Sequence, residues 1–198
     1  MVTIDLPPPD PRRALQPVHF RLPARSDLFR IYEINPLVLD LARTEFTYLK
    51  DTPAKIEVAL GDGRLTLDRE PGQRFDLLVM DAFSGDSVPV HLITREAFQT
   101  YFRHLKPGGI LALNISNRYL NLEPVMERAA AYFGKVGLVF DYTPINSDDF
   151  LCNASSWVLL LDRNKPLAES LKSGRVLGAR PEFRMWTDDF SNMFSILK

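Results

Sequence analysis

The sequence predicts an α/β protein built on an open, mostly parallel sheet. Three observations carry that expectation. Strand-like and helix-like segments alternate from Phe29 onward until a final pair of strands. Phe75-Asp76-Leu77-Leu78-Val79-Met80-Asp81 is a nearly continuous apolar run closed by a carboxylate, the pattern of a strand buried on both faces of a parallel sheet. The final pair, Val136 to Tyr142 and Ser156 to Leu161, has no helix between its members and is expected to form an antiparallel hairpin at the far edge.

Taken in order, residues 1–27 hold six of the fifteen prolines and show neither strand nor helix periodicity, so an irregular proline-rich tail is expected there. Residues 28–198 are then one domain. Phe29 to Glu33 is a short strand, after which Asn35-Pro36 supplies an N-cap and a first-turn proline for a helix running towards Lys50. Leu37, Val38, Leu41, Ala42, Glu45 and Leu49 fall on or beside one face of that helix, which is amphipathic with one polar intruder. Ile56 to Leu60 is a second strand, ended by Gly61-Asp62-Gly63, and a short helix or turn from Arg64 to about Arg69 stops at Pro71-Gly72. The strand ending at Asp81 is followed by a loop to about Leu92. A helix from Thr94 to Leu105 comes next, with Thr94 as cap, and Lys106-Pro107-Gly108-Gly109 ends it. Ile110 to Ile115 is a further strand, and Leu122 to Phe133 a helix with Pro124 in its first turn.

Composition narrows the function classes. With 198 residues, a single domain can bury a full core. Twenty-four basic against 25 acidic residues leave a net charge of −1, which offers no general attraction to nucleic acid or to an anionic membrane. The longest apolar run, Trp157 to Leu161, is far short of the ~20 residues needed to cross a bilayer. The N-terminus has neither the charged nor the apolar region of a secretory signal, so a cytoplasmic location is expected. Cys152 is the single cysteine and reads as a buried thiol, while His19, His91 and His104 lack metal-ligand spacing, so no metal is expected. Ser84 lacks the glycine that precedes the serine of a nucleophile elbow, which argues against a serine hydrolase.

Three acids stand where a parallel sheet binds ligands, beyond the carboxyl ends of its strands: Glu33, Asp62 and Asp81. A carboxylate just after a strand can accept hydrogen bonds from a ribose diol, the role that suits Glu33. Asp62, between two glycines that let backbone approach a flat ring, could accept from the exocyclic amine of adenine. Asp81 would face the reacting end of the ligand. Each acid could instead simply cap the turn that follows it. Three at consecutive strand ends favour a nucleoside site.

These residues resemble a known family. Tyr32-Glu33-Ile34-Asn35-Pro36, Gly61-Asp62-Gly63-Arg64, the run ending at Asp81, and Leu105 to Gly109 look like successive motifs of class I S-adenosylmethionine-dependent transferases. The stretch from Asp81 to Leu92 is similar to the spermidine synthase-like (polyamine aminopropyltransferase) branch, as is Trp186-Thr187-Asp188-Asp189-Phe190-Ser191-Asn192 near the end. The resemblance covers residues 29–198 and implies a Rossmann-like class I methyltransferase fold. It implies that Glu33 binds the ribose, that Asp62 with Gly63 binds adenine, and that Asp81 contacts both the cosubstrate and the attacking amine as the catalytic carboxylate. The cosubstrate implied is decarboxylated S-adenosylmethionine, and the acceptor a polyamine such as putrescine. Ser84 and Asp86 occupy the loop where the family holds a second acid, so they are candidate substrate-binding residues, with Asp148 and Asp149 as further acids for a cationic rim.

One part of the family pattern is missing. The first glycine of the chain is Gly61, so no glycine-rich turn precedes Glu33. Residues 1–27 do not resemble the family's first strand, which leaves that strand absent or replaced by another segment. An absent central strand would expose apolar edges, giving low stability or association as a homodimer. Three functions stay open: an aminopropyltransferase, an S-adenosylmethionine-dependent methyltransferase on the same scaffold, and a truncated, non-catalytic relative.

Overall fold

The computed structural model describes residues 2–5, 27–82, 89–143, 154–164, 166–178 and 180–198. Within them lie strands β1 (Val2–Asp5), β2 (Leu28–Glu33), β3 (Lys55–Leu60), β4 (Phe75–Met80), β5 (Leu105–Asn114), β6 (Lys135–Tyr142), β7 (Ser155–Asp162) and β8 (Arg175–Val176). The helices are α1 (Pro36–Thr44), α2 (Tyr48–Asp51), α3 (Gly63–Arg69), α4 (Arg95–Arg103) and α5 (Glu123–Tyr132). All eight strands join one sheet in the order β3-β2-β1-β4-β5-β7-β6-β8. Strands β2 and β3 pair in parallel, as do β4 and β5, and β1 runs antiparallel to both β2 and β4. Strand β7 is antiparallel to β5 and to β6, so the C-terminal hairpin forms as expected, and β8 closes the edge against β6. Five strands therefore run one way and β1, β7 and β8 the other.

The central strand is where the structure departs most from expectation. Val2–Asp5, part of the segment expected to be an irregular tail, is a strand that fills the position between β2 and β4. Val2, Thr3 and Ile4 are β-branched residues that suit a pleated sheet, and the first proline comes only at Pro7. Its register pairs Val2 with Ile31 and with Val79, and Ile4 with Phe29 and with Leu77. Of the two expectations, an absent strand or another segment in its place, the second is what the structure shows, with the segment running antiparallel to both neighbours. Pairing stops at Ile31 and Val79, so Tyr32, Glu33 and Met80 extend past it towards the carboxyl edge of the sheet.

The helices follow their local signals. Asn35 caps α1 through its side-chain oxygen, which accepts from Leu37 N at 3.0 Å, and Pro36 takes the first turn. The helix ends at Thr44 rather than near Lys50, and α2 is a separate turn. Thr44, Phe46 and Thr47 are poor helix formers, and Thr44 Oγ1 donates back to Asp40 O at 3.0 Å, a bond that loosens the turn it joins. Thr94 caps α4 as expected, accepting from Ala97 N at 3.3 Å. Lys106 to Gly109, expected to form the turn after that helix, lie inside β5. A register shift lets them bulge: Phe75 pairs with Leu105, but Leu77 pairs with Ile110. Lys106 Nζ pins the bulge to Asp76 at 2.9 Å.

The core packs between the sheet and the helices α3, α4 and α5. Leu67, Leu78, Phe98, Tyr101, Leu111, Leu113, Met126 and Leu160 are buried there, and Trp186 from the C-terminal segment joins them. His104 is fully buried in this core, with Nε2 donating to Leu67 O at 2.9 Å, and burial lowers its pKa so that it sits neutral.

Candidate functional site

Because β2, β3 and β4 run in the same direction, their carboxyl ends share one edge of the sheet, on either side of the central strand. Glu33 is the last residue of β2, Asp62 caps the helix after β3, and Asp81 follows β4. All three line one cleft of about 560 Å³, together with Gly63, His91 and an apolar wall of Ile34, Val38, Ala82, Pro89 and Leu92. The volume falls in the usual range of ~300–1,000 Å³ for small-molecule sites. A larger cleft of about 930 Å³ lies beyond β5 and β6 and mixes Arg118 and Lys198 with Glu123 and Asp141. The smaller cleft is the one that gathers the expected carboxylates.

Each carboxylate is held by its own local structure. Glu33 Oε1 accepts from Asn35 N at 2.8 Å, which closes the turn into α1, and Oε2 has no hydrogen bond among the described residues. Gly61 N donates to Glu33 O at 2.8 Å, tying the end of β3 to the end of β2. Gly61 has a φ of 138°, in a region that L side chains avoid, and a Cβ there would meet Thr66 Oγ1 at 3.1 Å. This position therefore needs glycine, and it sets Asp62 at the head of α3. Asp62 Oδ1 accepts from Leu65 N at 2.9 Å, while Oδ2 meets His91 Nε2 at 3.0 Å. Burial by itself would raise the Asp62 pKa, but the hydrogen bonds from Leu65 and His91 outweigh it and hold the carboxyl below its usual range.

Asp81 is exposed at the mouth of the cleft. Its Oδ1 accepts from Asn114 Nδ2 at 2.9 Å, and Asn114 is itself fixed because its own Oδ1 accepts from Ser116 N at 2.9 Å. Ser116 is anchored in turn to β7, since its Oγ accepts from Ser156 N at 2.9 Å. The second oxygen of Asp81 has no hydrogen bond among the described residues.

The cleft thus brings together Glu33, Asp62, Gly63 and Asp81. Ser84, Asp86, Asp148 and Asp149, and Cys152, lie outside the described residues. Sequence reasoning missed the parts that three residues play. His91 sits 29 positions from Asp62 and is weighed there only as a metal ligand, Asn114 reads only as part of a strand, and Arg64 stands in the Gly61 to Arg64 motif with no role given to its side chain. In chemical terms, Glu33 and Asp81 each keep an oxygen able to accept from a hydroxyl or an ammonium. Asp62 keeps its pair with His91, and the apolar wall suits a flat ring.

Comparison with known proteins gives partial matches. No family model matches the chain. The chain is 33% identical over 86 residues to a polyamine aminopropyltransferase of Vibrio vulnificus, covering 42% of this chain and 28% of that protein. It is 32% identical over 121 residues to the polyamine aminopropyltransferase of Nitrosomonas europaea, covering 57% of this chain and 36% of that protein. The matched stretch is therefore about a third of the length of these relatives. Among solved structures, a probable spermidine synthase from Corynebacterium glutamicum aligns with TM-score 0.50 and 18% identity over 70% of this chain and 48% of that chain. Human methyltransferase-like protein 13 in complex with SAH aligns with TM-score 0.50 and 20% identity, over 71% of this chain and 64% of the other. The structural matches establish a Rossmann-like, mixed α/β fold.

Proposed function

We propose, since this chain is related to the spermidine synthase-like branch of the class I methyltransferase fold, that it moves an aminopropyl group from a decarboxylated S-adenosylmethionine to a polyamine such as putrescine. The observation that carries this reading is the single cleft shared by Glu33, Asp62 and Asp81 at three neighbouring strand ends. The apolar wall and the first two acids fit an adenosyl group: Glu33 Oε2 is open to a ribose diol, and Asp62 with Gly63 stands at the ring end. Among the described residues no glycine precedes Glu33, and β1 runs antiparallel to β2 and β4, so no glycine-rich turn is seen leading from it to the sulfonium end. Bound there, the nucleoside would supply an electrophilic methylene carbon beside a sulfur that leaves as a neutral thioether.

The work left to the protein is done by Asp81. An alkylammonium has a pKa near that of Lys, ~10.4, so deprotonating it at neutral pH costs roughly 4–5 kcal/mol. Asp81 offsets that cost by accepting a hydrogen bond from the ammonium and taking its proton, which frees the nitrogen lone pair to form the nitrogen–carbon bond as the carbon–sulfur bond breaks. The hydrogen bond from Asn114 holds one oxygen, which aims the other at the amine.

Methyl transfer on the same scaffold is the second reading. It is favoured by a 23% identical match over 99 residues to a putrescine N-methyltransferase of Nicotiana tabacum. The carboxylate of the cosubstrate separates the two. Calorimetric titration of the chain with S-adenosylmethionine, its decarboxylated form and methylthioadenosine tests both. Selective binding of the decarboxylated form is expected, preference for the carboxylated form would favour methyl transfer, and no binding by a folded chain would overturn both.

A further inference from the structure

The nucleoside end of the cleft is wired to the C-terminal segment by a charge pair between a buried arginine, Arg64, and an exposed carboxylate, Asp188, that the proposed chemistry does not use. Arg64 follows Gly63 in the first turn of α3 and is only 7% exposed. Its guanidinium makes a two-pronged pair with Asp188, Nη1 to Oδ1 at 2.8 Å and Nη2 to Oδ2 at 2.6 Å. Thr94, the cap of α4, donates from Oγ1 to the same Asp188 Oδ1 at 2.6 Å. Arg64 Nη1 also donates to the backbone oxygen of His91. His91 in turn places Nε2 3.0 Å from Asp62 Oδ2 inside the cleft. Asp188 is itself fixed, since its N donates to Glu96 Oε2 at 3.1 Å and Arg95 N donates to Trp186 O at 2.8 Å beside the buried indole.

A long, buried arginine is costly to place unless its fork is matched. Here the match spans three separate pieces of chain: the head of α3, the turn carrying His91 and Thr94, and the segment at Asp188. Removing the Asp188 charge leaves the guanidinium without its main partner, and the carbonyl of His91 loses a defined donor. Of the two residues at the ring end of the cleft, Asp62 stands two positions before Arg64, and the backbone oxygen of His91 accepts a hydrogen bond from it.

We infer that Asp188 and Arg64 are positioning residues that hold His91 against Asp62, so that the C-terminal segment sets the affinity of the cleft for the base of a nucleoside. This rests on the nucleoside reading given above. The pair acts through His91 and touches no reacting atom.

The test uses the full chain and two readouts. The first is the imidazole NMR signal of His91 without ligand, in the wild type, Asp62→Asn and Asp188→Asn. The second is calorimetric affinity for methylthioadenosine in the wild type, Asp188→Asn, His91→Gln and the double variant. Asp188→Asn is expected to move the His91 ring signal and to weaken methylthioadenosine about tenfold, the scale of one charge-assisted hydrogen bond. In the His91→Gln background the same substitution should then add little, because its route is gone. A His91 signal and an affinity indifferent to Asp188→Asn would overturn the positioning role, and so would equal, additive losses in the two backgrounds, which mark a purely structural pair. Should Asp188→Asn fail to fold, Arg64→Lys, which keeps the charge but loses the two-pronged match to Asp188, is read in the same way. Absence of methylthioadenosine binding by the folded wild type, with the His91 signal still responding, would overturn the nucleoside reading and leave the hold on His91 standing.

Discussion

Asp81 keeps one carboxylate oxygen unbonded at the cleft mouth while Asn114 holds the other. That division of labour makes a sharp expectation for the proposed reaction. Asp81→Asn keeps the shape and the hydrogen bond capacity but cannot take a proton, so turnover should fall by about 10²–10⁴-fold with nucleoside affinity little changed. Steady-state kinetics beside calorimetry would check it, and full activity would remove Asp81 from the mechanism. Asp62 and Asp188 carry a second residue-scale expectation. Hydrogen bonds from Leu65 and His91 outweigh burial to hold Asp62 below the usual carboxylate range, and Arg64, with Thr94, does the same for Asp188. A depressed folded pKa means the unfolded chain binds more protons in acid. The stabilisation is therefore present above the unfolded carboxylate pKa of ~3.9 and is lost as pH falls through the lower folded values. The melting temperature of the wild type should drop steeply below about pH 4, and Asp188→Asn should start lower at neutral pH and drop less.

At the scale of elements, the central position of the sheet is the point of leverage. Strand β1 contributes ladder partners to β2 and to β4, and without it these two parallel pairs would have unpaired inner edges. Replacing Thr3 by proline removes a backbone donor from that strand and leaves a facing carbonyl unmatched. A buried unsatisfied group costs about 1–3 kcal/mol, so the urea midpoint of Thr3→Pro should fall by a corresponding amount, or the chain should associate through the freed edges. An unchanged midpoint would argue that the β2 and β4 edges are satisfied without β1. Among the described residues, β1 holds the position between β2 and β4 and so keeps the order of the sheet. The start of β1, at Val2, stands beside the ends of β2 and β4, where a forward-running strand would deliver a loop.

For the whole molecule, the cleft and the fold are linked by mass action. A nucleoside that binds only the folded chain should stabilise it by about 2.7 kcal/mol at a hundred times its dissociation constant, visible as a rise in melting temperature. Methylthioadenosine and decarboxylated S-adenosylmethionine should each produce that rise, and adenine without its ribose should produce less, since Glu33 then has no diol to hold. No helix among the described residues is long and apolar enough to cross a membrane, in keeping with the ordinary composition.

Much of this was legible in the residues themselves. The apolar run at β4, the Asn35-Pro36 start of α1 and the Thr94 cap are local signals, each fixed by backbone chemistry within a few positions, and they appear where expected. So do the three carboxylates, because a strand end followed by a turn is itself a local pattern. Three things were decided only by the tertiary structure. The reversed β1 pairs residues about 27 and 75 positions away, a choice made by two open strand edges rather than by Val2–Asp5. The bulge that draws Lys106 to Gly109 into β5 depends on the register with β4. The contacts of Asp62 with His91 and of Arg64 with Asp188, 124 positions apart in the latter case, depend on which loops the core brings to one edge. Short-range hydrogen bonding and periodicity write elements into a sequence, whereas pairing between distant segments is settled by the surfaces that the folded sheet leaves to be satisfied.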